Sequence, residues 1–420
     1  MSGLENQWFY FHSFFRVMNL RTICVVLASL FFIGDLSAAE WSIDSSLSAQ
    51  HEYNDNLFLT SQFQESGSRT IVSPDIKFRA KEKNWETMFN AKLTSNDYSN
   101  KNLDSNDQYY NIVGSYKGER ETYSIKGMYD LNSSLNTGSD DFGISTVRVN
   151  RTTTNISPSY SRMLTERFMV SLQYTLTESK NDNLISTGLV PYEAKTGSAS
   201  VIYNITEIDK LNASVQSTDY MSLDGLSEYQ SLMLRAGLSR RFTEIFMVDF
   251  QVGTSKRDSI NRSTSTIDNF AGTGSTISLT QETDINNTGL VLDAGFELKT
   301  ERGEATGRLS RDNQANSYGG VNEVDKLSMT YNQRLSDLWG YTLSGQYSET
   351  KSILSGTSFA DRSMLYIDAS VNHSFSRNWN LKASWIYLER EFVSLDQGDV
   401  PSSHRLKIGM TYNFSEVSTF

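Results

Sequence analysis

Cysteine is nearly absent from this chain of 420 residues: the sequence holds one, Cys24, within an N-terminal apolar run. Removal of that run as a signal would leave no cysteine for a disulfide, a metal site or thiol chemistry. No later stretch approaches the roughly 20 apolar residues of a membrane-spanning helix. No basic patch with interleaved aromatic residues is present, so we expect no nucleic-acid partner. Zinc-type His-Glu-x-x-His, phosphate-loop and EF-hand patterns are also missing, so we expect no metal or cofactor.

The N-terminal segment has the features of a secretory signal. Arg16 and Arg21 flank an apolar run over 23–34, and the small residues Ser37, Ala38 and Ala39 follow. The run is too short to span a membrane as a helix, whereas a basic start, a short apolar core and a small-residue exit are typical of a cleaved signal. We predict cleavage after Ala39, which gives a signal over 1–39 and a single domain over 40–420.

The segment over 405–414 alternates strictly between apolar and polar residues. Its apolar positions are Leu406, Ile408, Met410, Tyr412 and Phe414. Strict alternation predicts a strand with one apolar and one polar face. The pattern formed by Lys407, Gly409, Tyr412 and Phe414 resembles the insertion signal of outer-membrane β-barrels. This resemblance implies a Gram-negative outer membrane, with its lipid and lipopolysaccharide, and the barrel-assembly machinery as partner.

Short turns and long polar connections alternate along the chain. A turn bracketed by large apolar residues recurs over 164–168, 242–246, 335–339 and 375–379, and shorter polar turns lie near 81–84, 117–120, 206–210 and 300–304. Aromatic residues beside such turns suit a membrane-interface girdle. Between the turns we predict nine long connections, at 54–67, 99–106, 134–148, 180–192, 221–227, 258–286, 316–322, 353–361 and 393–401.

Nine long connections imply nine hairpins and therefore 18 strands. The count could fall to 16, because Pro158 interrupts the pattern over 149–162. The predicted fold class is all-β: a transmembrane, antiparallel, up-and-down β-barrel with short periplasmic turns and long extracellular loops. A soluble β-sandwich would also alternate, but one face stays polar in nearly every strand and leaves little to fill a second core.

The polar face carries charges of both signs, with basic residues in excess. The acidic side chains on it are Glu86, Asp130, Asp249, Asp293, Glu297, Glu304 and Asp368. The basic ones are Lys77, Arg79, Lys92, Lys126, Arg235, Lys299, Arg308, Lys326, Arg334, Lys382, Arg405 and Lys407. A basic lining would favour anions in a pore. The same residues could instead form charge ladders between strands without any substrate, and the sequence leaves both interpretations open.

A barrel of 18 strands would be about 35 Å wide, which wall side chains cannot fill. We therefore expect either a water-filled pore or a plug made by a loop. The predicted loop over 258–286 is the longest, and it is the natural constriction if it folds inward.

The first predicted loop carries the pattern Tyr-x-Asp-Asn-x-Phe-x-Thr, from Tyr53 to Thr60. An amphipathic strand that runs into this pattern resembles the β-barrel porin 2 family. The resemblance implies a channel serving exopolysaccharide export, with an acidic polysaccharide and periplasmic export components as partners. The alternatives are a general diffusion porin that favours anions and a structural or adhesive barrel without transport. Asn54, Asp55 and Asn56 are also ordinary turn formers at a strand end.

An enzymatic function is not expected. After signal removal the histidines are His51, His373 and His404. His373 and Ser374 are adjacent, but neighbouring strand residues point to opposite faces and these two lie beside a tight turn. His404 has Ser402 and Ser403 nearby, but a histidine at a strand end is more often an interface residue.

Overall fold

The chain forms eighteen long strands that hydrogen-bond to one another in sequence order. The computed structural model describes residues 40–133, 149–182, 190–267, 277–316, 320–352, 361–392 and 400–418. The predicted signal over 1–39 lies outside these residues. The long strands are β1 Glu40–Asn54, β2 Gly67–Glu82, β3 Trp85–Tyr98, β4 Ser105–Lys117, β5 Glu121–Ser133, β6 Asn150–Met163, β7 Phe168–Asn181, β8 Tyr192–Asn204, β9 Asp209–Ser222, β10 Ser227–Arg241, β11 Phe246–Ile267, β12 Ile277–Lys299, β13 Gly303–Asn316, β14 Gly320–Arg334, β15 Trp339–Ser352, β16 Arg362–Ser374, β17 Trp379–Phe392 and β18 Ser402–Asn413.

The strands close into a barrel because β1 pairs with both β2 and β18. Every long strand is antiparallel to the strands before and after it, and β18 pairs with β1 from Asn413 against Ser46 to Arg405 against Asn54. A two-residue strand, β19 (Val417–Ser418), extends this seam along β1. The predicted up-and-down barrel and its count of 18 are confirmed. In the described residues, no helix is long and apolar enough to cross a membrane.

The recurring tight turns are stabilised by one local pattern. Leu335 donates its backbone N–H to the carbonyl of Trp339, and Phe375 does the same to Trp379, at 2.9 and 3.0 Å. The backbone N–H of Trp339 also donates to Oγ of Ser336, at 3.1 Å. Ser and Thr favour turns because their hydroxyls bond to nearby backbone groups in this way. The predicted turns therefore lie at one end of the barrel, here called the turn side; the opposite end is the loop side.

The two faces of the wall differ as the alternation predicts. Residues opposite one another in adjacent strands share a face, so each exposed apolar residue defines a row around the outside. Leu406 pairs with Trp385, and Leu327 pairs with Leu309 and Tyr347. All five are exposed, with Leu406 at 55%. The alternate positions face the lumen.

Two prolines interrupt strand pairing on one side only. Pro74 of β2 still lies opposite Leu47 of β1, but the pairing of β2 with β3 skips it. Pro158 of β6 lies opposite Ile125, and the pairing with β7 skips it. Proline has no N–H to donate, so each proline and the residue before it drop out of the pairing on that side without breaking the strand. The segment that could have lowered the count is therefore a complete strand.

The prediction of a long loop over 258–286 is wrong for its described part. β11 continues to Ile267 and β12 begins at Ile277, and the two pair with each other throughout. β10 pairs with β11 only as far as Asn261, and β13 pairs with β12 only as far as Leu292. The hairpin thus extends about 20 Å beyond β10 as a two-stranded ribbon. Ser, Thr and Asn indicated a loop by composition, but the pairing of one strand with the other stabilises an extended conformation here.

Candidate functional site

The twelve predicted basic residues all lie at lumen-facing positions of the strand register. In β2 and β3, for example, Asp75 pairs with Lys92 and Lys77 pairs with Asn90. All four residues lie on the face opposite to that of the exposed Ile76. In β16 to β18, Asn372 pairs with Lys382, which pairs with Gly409. The same register places the seven predicted acidic residues on this face.

Five of the twelve basic residues form ion pairs with acidic neighbours. Arg308 binds Asp293 at 2.7 Å, Arg235 binds Asp312 at 2.8 Å and Lys407 binds Glu52 at 2.9 Å. Arg79 binds Glu86 at 3.6 Å, and Lys299 binds Glu297 and Glu304. Within the described residues, ion pairs are absent for the other seven: Lys77, Lys92, Lys126, Lys326, Arg334, Lys382 and Arg405. Charge laddering therefore accounts for part of the basic set and leaves the larger part unpaired.

Further charged residues that the sequence analysis missed also face the lumen. The register adds the acidic residues Glu40, Asp44, Glu52, Asp75, Asp107 and Asp312. It adds the basic residues Arg69, Lys81, Lys117, Arg151, Lys210, Arg241, Arg257, Arg362 and Arg390. Basic residues therefore outnumber acidic ones across this face. Extending the alternation to both ends of each strand would have found them.

Five of these added arginines are buried near the loop side. They are Arg69, Arg151, Arg257, Arg362 and Arg390, each at most 7% exposed. Arg151 donates to Oγ of Ser179 and to the hydroxyl of Tyr192, at 2.8 and 3.1 Å. Burial of a guanidinium requires several such partners. The loop-side lumen is thus a packed, basic region, whereas most lumen residues nearer the turns are partly exposed.

The first loop, here called L1 (residues 55–66), folds into this region. Asn56 donates from Nδ2 to the backbone oxygens of Thr60 and Ser402, each at 2.9 Å, and is 1% exposed. These bonds place L1 against the first residue of β18, at the loop side. Leu59 then packs against Met364 and Leu388 on the inner faces of β16 and β17.

The polar residues of the first-loop pattern stabilise this position of L1. Asn54 accepts hydrogen bonds from Oγ of Ser403 and from the N–H of Asn56, at 2.7 and 2.9 Å. Asp55 accepts from the N–H of His404 at 2.7 Å. In the described residues, positive φ outside glycine is confined to Leu59 and Phe63, both in L1. Asn54, Asp55 and Asn56 thus form a turn and also join the first strand to the last.

A second element also enters the lumen from the loop side. It comprises residues 311–316 of β13 and 320–325 of β14, here called the inner hairpin. Glu323 binds Arg257 of β11 at 3.1 Å, and Asp312 binds Arg235 of β10. β10 also contacts β14, although three strands separate them along the wall. Because Arg235 and Arg257 face inward, the inner hairpin crosses the inner face of β10–β12.

An open cavity of about 350 Å³ lies in the lumen beside the inner hairpin. Ser310, Gln314, Lys326, Gln346 and Arg362 are among the residues around it. Its lining is largely polar, and Lys326, one of the predicted basic residues, belongs to it. L1 and the inner hairpin are therefore the elements that narrow the lumen in the part of the chain that the structure describes, whereas the described residues of 258–286 form the β11–β12 ribbon.

The residues of the predicted insertion signal lie on both faces of the seam. Lys407 and Gly409 face the lumen, opposite Glu52 and Gln50. Tyr412 and Phe414 face outward, with ring centroids 4.9 Å apart, and Tyr412 also contacts Trp379 at 4.8 Å.

Two of the described histidines pack against aromatic rings. His373 stacks on Trp339 on the outer face, with ring centroids 4.1 Å apart, and His404 lies beside Trp385 and Tyr387. Both are placed as interface residues would be. Among the described residues, no group of three or more histidine, cysteine or acidic side chains could hold a metal ion.

Comparison with known proteins finds likeness in fold alone. No family model matches the chain, and no curated protein matches it. Crystal structures of Pseudomonas aeruginosa OccK2 (OpdF) and OpdK match with TM-scores of 0.47 and 0.48, at 10% and 8% identity. The matches cover 92% and 91% of this chain and 99% and 100% of theirs. Acinetobacter baumannii OccAB2 gives a TM-score of 0.46 at 11% identity, over 89% of this chain and 98% of its own. Similarity this low carries no argument about function.

Proposed function

We propose that this chain is an outer-membrane channel that favours small anionic solutes. The observation that carries the proposal is the charge of the lumen. The chain as a whole has a formal charge of −11, yet basic residues outnumber acidic ones on the inner face, and seven of the twelve predicted ones lack an ion-pair partner among the described residues. A basic lining raises the local concentration of anions and lowers their entry barrier.

The outer face supports a membrane location. Exposed leucine, isoleucine, valine and aromatic side chains repeat at alternate positions around the wall, for example Leu232, Leu234 and Leu238 in one strand. In water, a barrel with such a continuous apolar surface would tend to aggregate, whereas contact with lipid stabilises that surface. A closed barrel satisfies its backbone hydrogen bonds internally, which the hydrocarbon region requires.

The narrowing of the loop side favours small solutes over polymers. L1 covers part of the inner faces of β16 and β17, and the inner hairpin covers part of β10–β12. Export of an acidic polysaccharide is the second candidate, and the first-loop pattern favours it through its resemblance. An adhesive role is the third, and the protruding β11–β12 ribbon favours it because it offers surface outside the barrel.

Ion selectivity in planar bilayers tests the proposal. The reversal potential of the wild-type channel in a KCl gradient is expected to indicate chloride over potassium. A triple variant Lys77→Gln, Lys126→Gln, Lys382→Gln should lower the permeability ratio severalfold. The matched control is Lys101→Gln, Lys180→Gln, Lys195→Gln, which removes three charges from a loop and from the outer face. A cation-selective wild type, or an equal effect of both triple variants, would contradict the proposal.

A liposome assay separates the second candidate from the first. Release of a labelled acidic oligosaccharide from loaded vesicles, at a rate comparable with that of a monosaccharide acid, would favour polysaccharide export. Retention of the oligosaccharide with passage of the monosaccharide would favour the diffusion channel.

A further inference from the structure

We infer that the loop-side lumen contains a carboxylate-binding site centred on Arg405. The inference rests on the proposed function, since it names a position where an anion in the channel would bind. It starts from the seam between β1 and β18, where three basic side chains face inward close to a single carboxylate.

That carboxylate, Glu52, is already engaged. Its Oε1 binds Nε of Arg69 at 3.1 Å, and its Oε2 binds Nζ of Lys407 at 2.9 Å and Nη2 of Arg69 at 3.1 Å. Glu52 is 3% exposed. One negative charge is therefore shared by two cations, and both of its oxygens are occupied.

Arg405 is the third cation of this cluster. It lies two residues before Lys407 on the same face, opposite Asn54 of β1 and Ile386 of β17. Its Nε is buried with no hydrogen-bond partner, and within the described part of the chain it makes no ion pair. The cluster of Glu52, Arg69, Lys407 and Arg405 therefore carries an excess of positive charge, and its unpaired member is Arg405.

Two tyrosines lie on either side of Arg405. Tyr98 and Tyr366 are close enough to its guanidinium for electrostatic interaction with their hydroxyls. Tyr98 accepts a hydrogen bond from Arg69 at 2.9 Å. Tyr366 donates to Oδ2 of Asp368 at 3.1 Å. Arg405 pairs with Ile386, which pairs with Asp368, so Asp368 is the nearest other acidic residue in this row of paired positions. The backbones of Asp368 and Arg405 are two strands apart, a distance of about 10 Å.

This arrangement suits a carboxylate on a small organic solute. A guanidinium presents paired N–H donors in a planar fork that matches the two oxygens of a carboxylate. A carboxylate bound by the terminal nitrogens of Arg405 would balance the positive charge of the cluster. Tyr98 is 3% exposed and is engaged with Arg69. The hydroxyl of Tyr366, which donates to Asp368, can still accept a hydrogen bond from a further polar group of the solute, such as a sugar hydroxyl. We therefore expect a sugar acid to bind better than inorganic phosphate or the neutral sugar.

Titration calorimetry on the full chain in detergent tests this site independently of conductance. Galacturonate is the probe, with galactose and inorganic phosphate as comparisons. We expect galacturonate to release heat on binding and galactose to release none. Arg405→Gln should weaken galacturonate binding at least tenfold, and Arg405→Lys should weaken it severalfold, since lysine keeps the charge but not the fork.

Arg334→Gln is the matched control, since it removes one lumen-facing arginine at the turn side, where Arg334 donates to the backbone oxygen of Glu301 at 3.2 Å. Heat-modifiable migration on gels checks that each variant is folded. If Arg405→Gln does not assemble, the galacturonate affinity of Arg405→Lys is compared with that of the control instead. Equal galacturonate affinity in the Arg405 and Arg334 variants, no binding by the wild type, or tighter binding of phosphate than of galacturonate would overturn the assignment. A channel that prefers anions but gives one of these results would keep the proposed function and lose this site.

Discussion

Gln50 lies against Gly409 at the seam where the first and last long strands of the barrel meet. A methyl group built on Gly409 would lie 2.3 Å from Cγ of Gln50 and 3.1 Å from the carbonyl oxygen of Ala49. Glycine is therefore needed here for close approach of the two strands and not for a special backbone angle.

Gly409→Ala should consequently destabilise barrel closure by about 1–3 kcal/mol, the usual cost of an added group in a packed position. The measurement is the denaturant dependence of heat-modifiable migration. Gly197→Ala is the control, because a methyl group there would meet nothing within 4 Å. Gln50→Ala in the same chain should recover part of the loss. Equal stability of the two glycine variants would refute the role of close approach.

Asn56→Ala should release L1 from the end of β18. The substitution removes two side-chain donations, to Thr60 and Ser402, and the acceptor for the N–H of Thr60 at 3.1 Å. Loss of these buried bonds should cost about 1–3 kcal/mol. Single-channel conductance should rise because L1 no longer covers β16 and β17. Asn100→Ala provides a comparison, since Asn100 accepts one exposed bond from Asn102 at 3.3 Å; an unchanged conductance in Asn56→Ala would show that L1 does not limit the current.

Arg257→Gln should loosen the contact between the inner hairpin and β11. The side chain of Arg257 is 3% exposed and binds Glu323 at 3.1 Å. Breaking a buried ion pair on one side costs about 3 kcal/mol. Arg262→Gln on the same strand breaks exposed pairs with Glu228 and Glu282, which should cost less than about 1 kcal/mol. Comparison of the denaturation midpoints and conductances of the two variants checks this difference, and similar midpoints would contradict it.

Leu343→Arg and Ser344→Arg should behave differently although the residues are neighbours. Leu343 is exposed on the outer face, opposite Tyr331, whereas Ser344 faces the lumen, opposite Asp368. A charge on the lipid face costs about 2–4 kcal/mol near the bilayer midplane. We expect poor assembly into liposomes for Leu343→Arg, and normal assembly with a higher chloride preference for Ser344→Arg. Equal assembly of both would mean that the outer face does not contact lipid.

Local sequence signals predict the wall well. Alternation at positions such as Leu406 and Ile408 depends only on the two-residue period of a strand, so it gives the face of each residue without knowledge of the fold. The tight turns follow from Ser and Thr hydroxyls that bond within four residues, as in Ser336 with Trp339. Both signals are local, which explains why the strand count was predicted correctly.

The interior could not be predicted in the same way, because long-range contacts determine it. Nothing near Asp312 or Glu323 in the sequence indicates that they bind Arg235 and Arg257, each across two intervening strands. The Asn54–Asn56 segment predicted a turn, but its bonds to Ser402 and Ser403 join residues almost 350 positions apart. The burial of Arg69 likewise depends on what covers it, and alternation alone contains no such information.

Closure of the seam has a consequence for the order of folding. Each long strand pairs with its immediate successor, so those contacts form between segments close in the chain. Among the long strands, the pairing of β1 with β18, from Ser46 against Asn413 to Asn54 against Arg405, joins the first strand to the last. Folding rates fall as contacting residues become more distant in sequence, because the entropy of closing the intervening chain must be lost first. The seam should therefore form late, and an open sheet with two free edges should be the longest-lived intermediate during assembly.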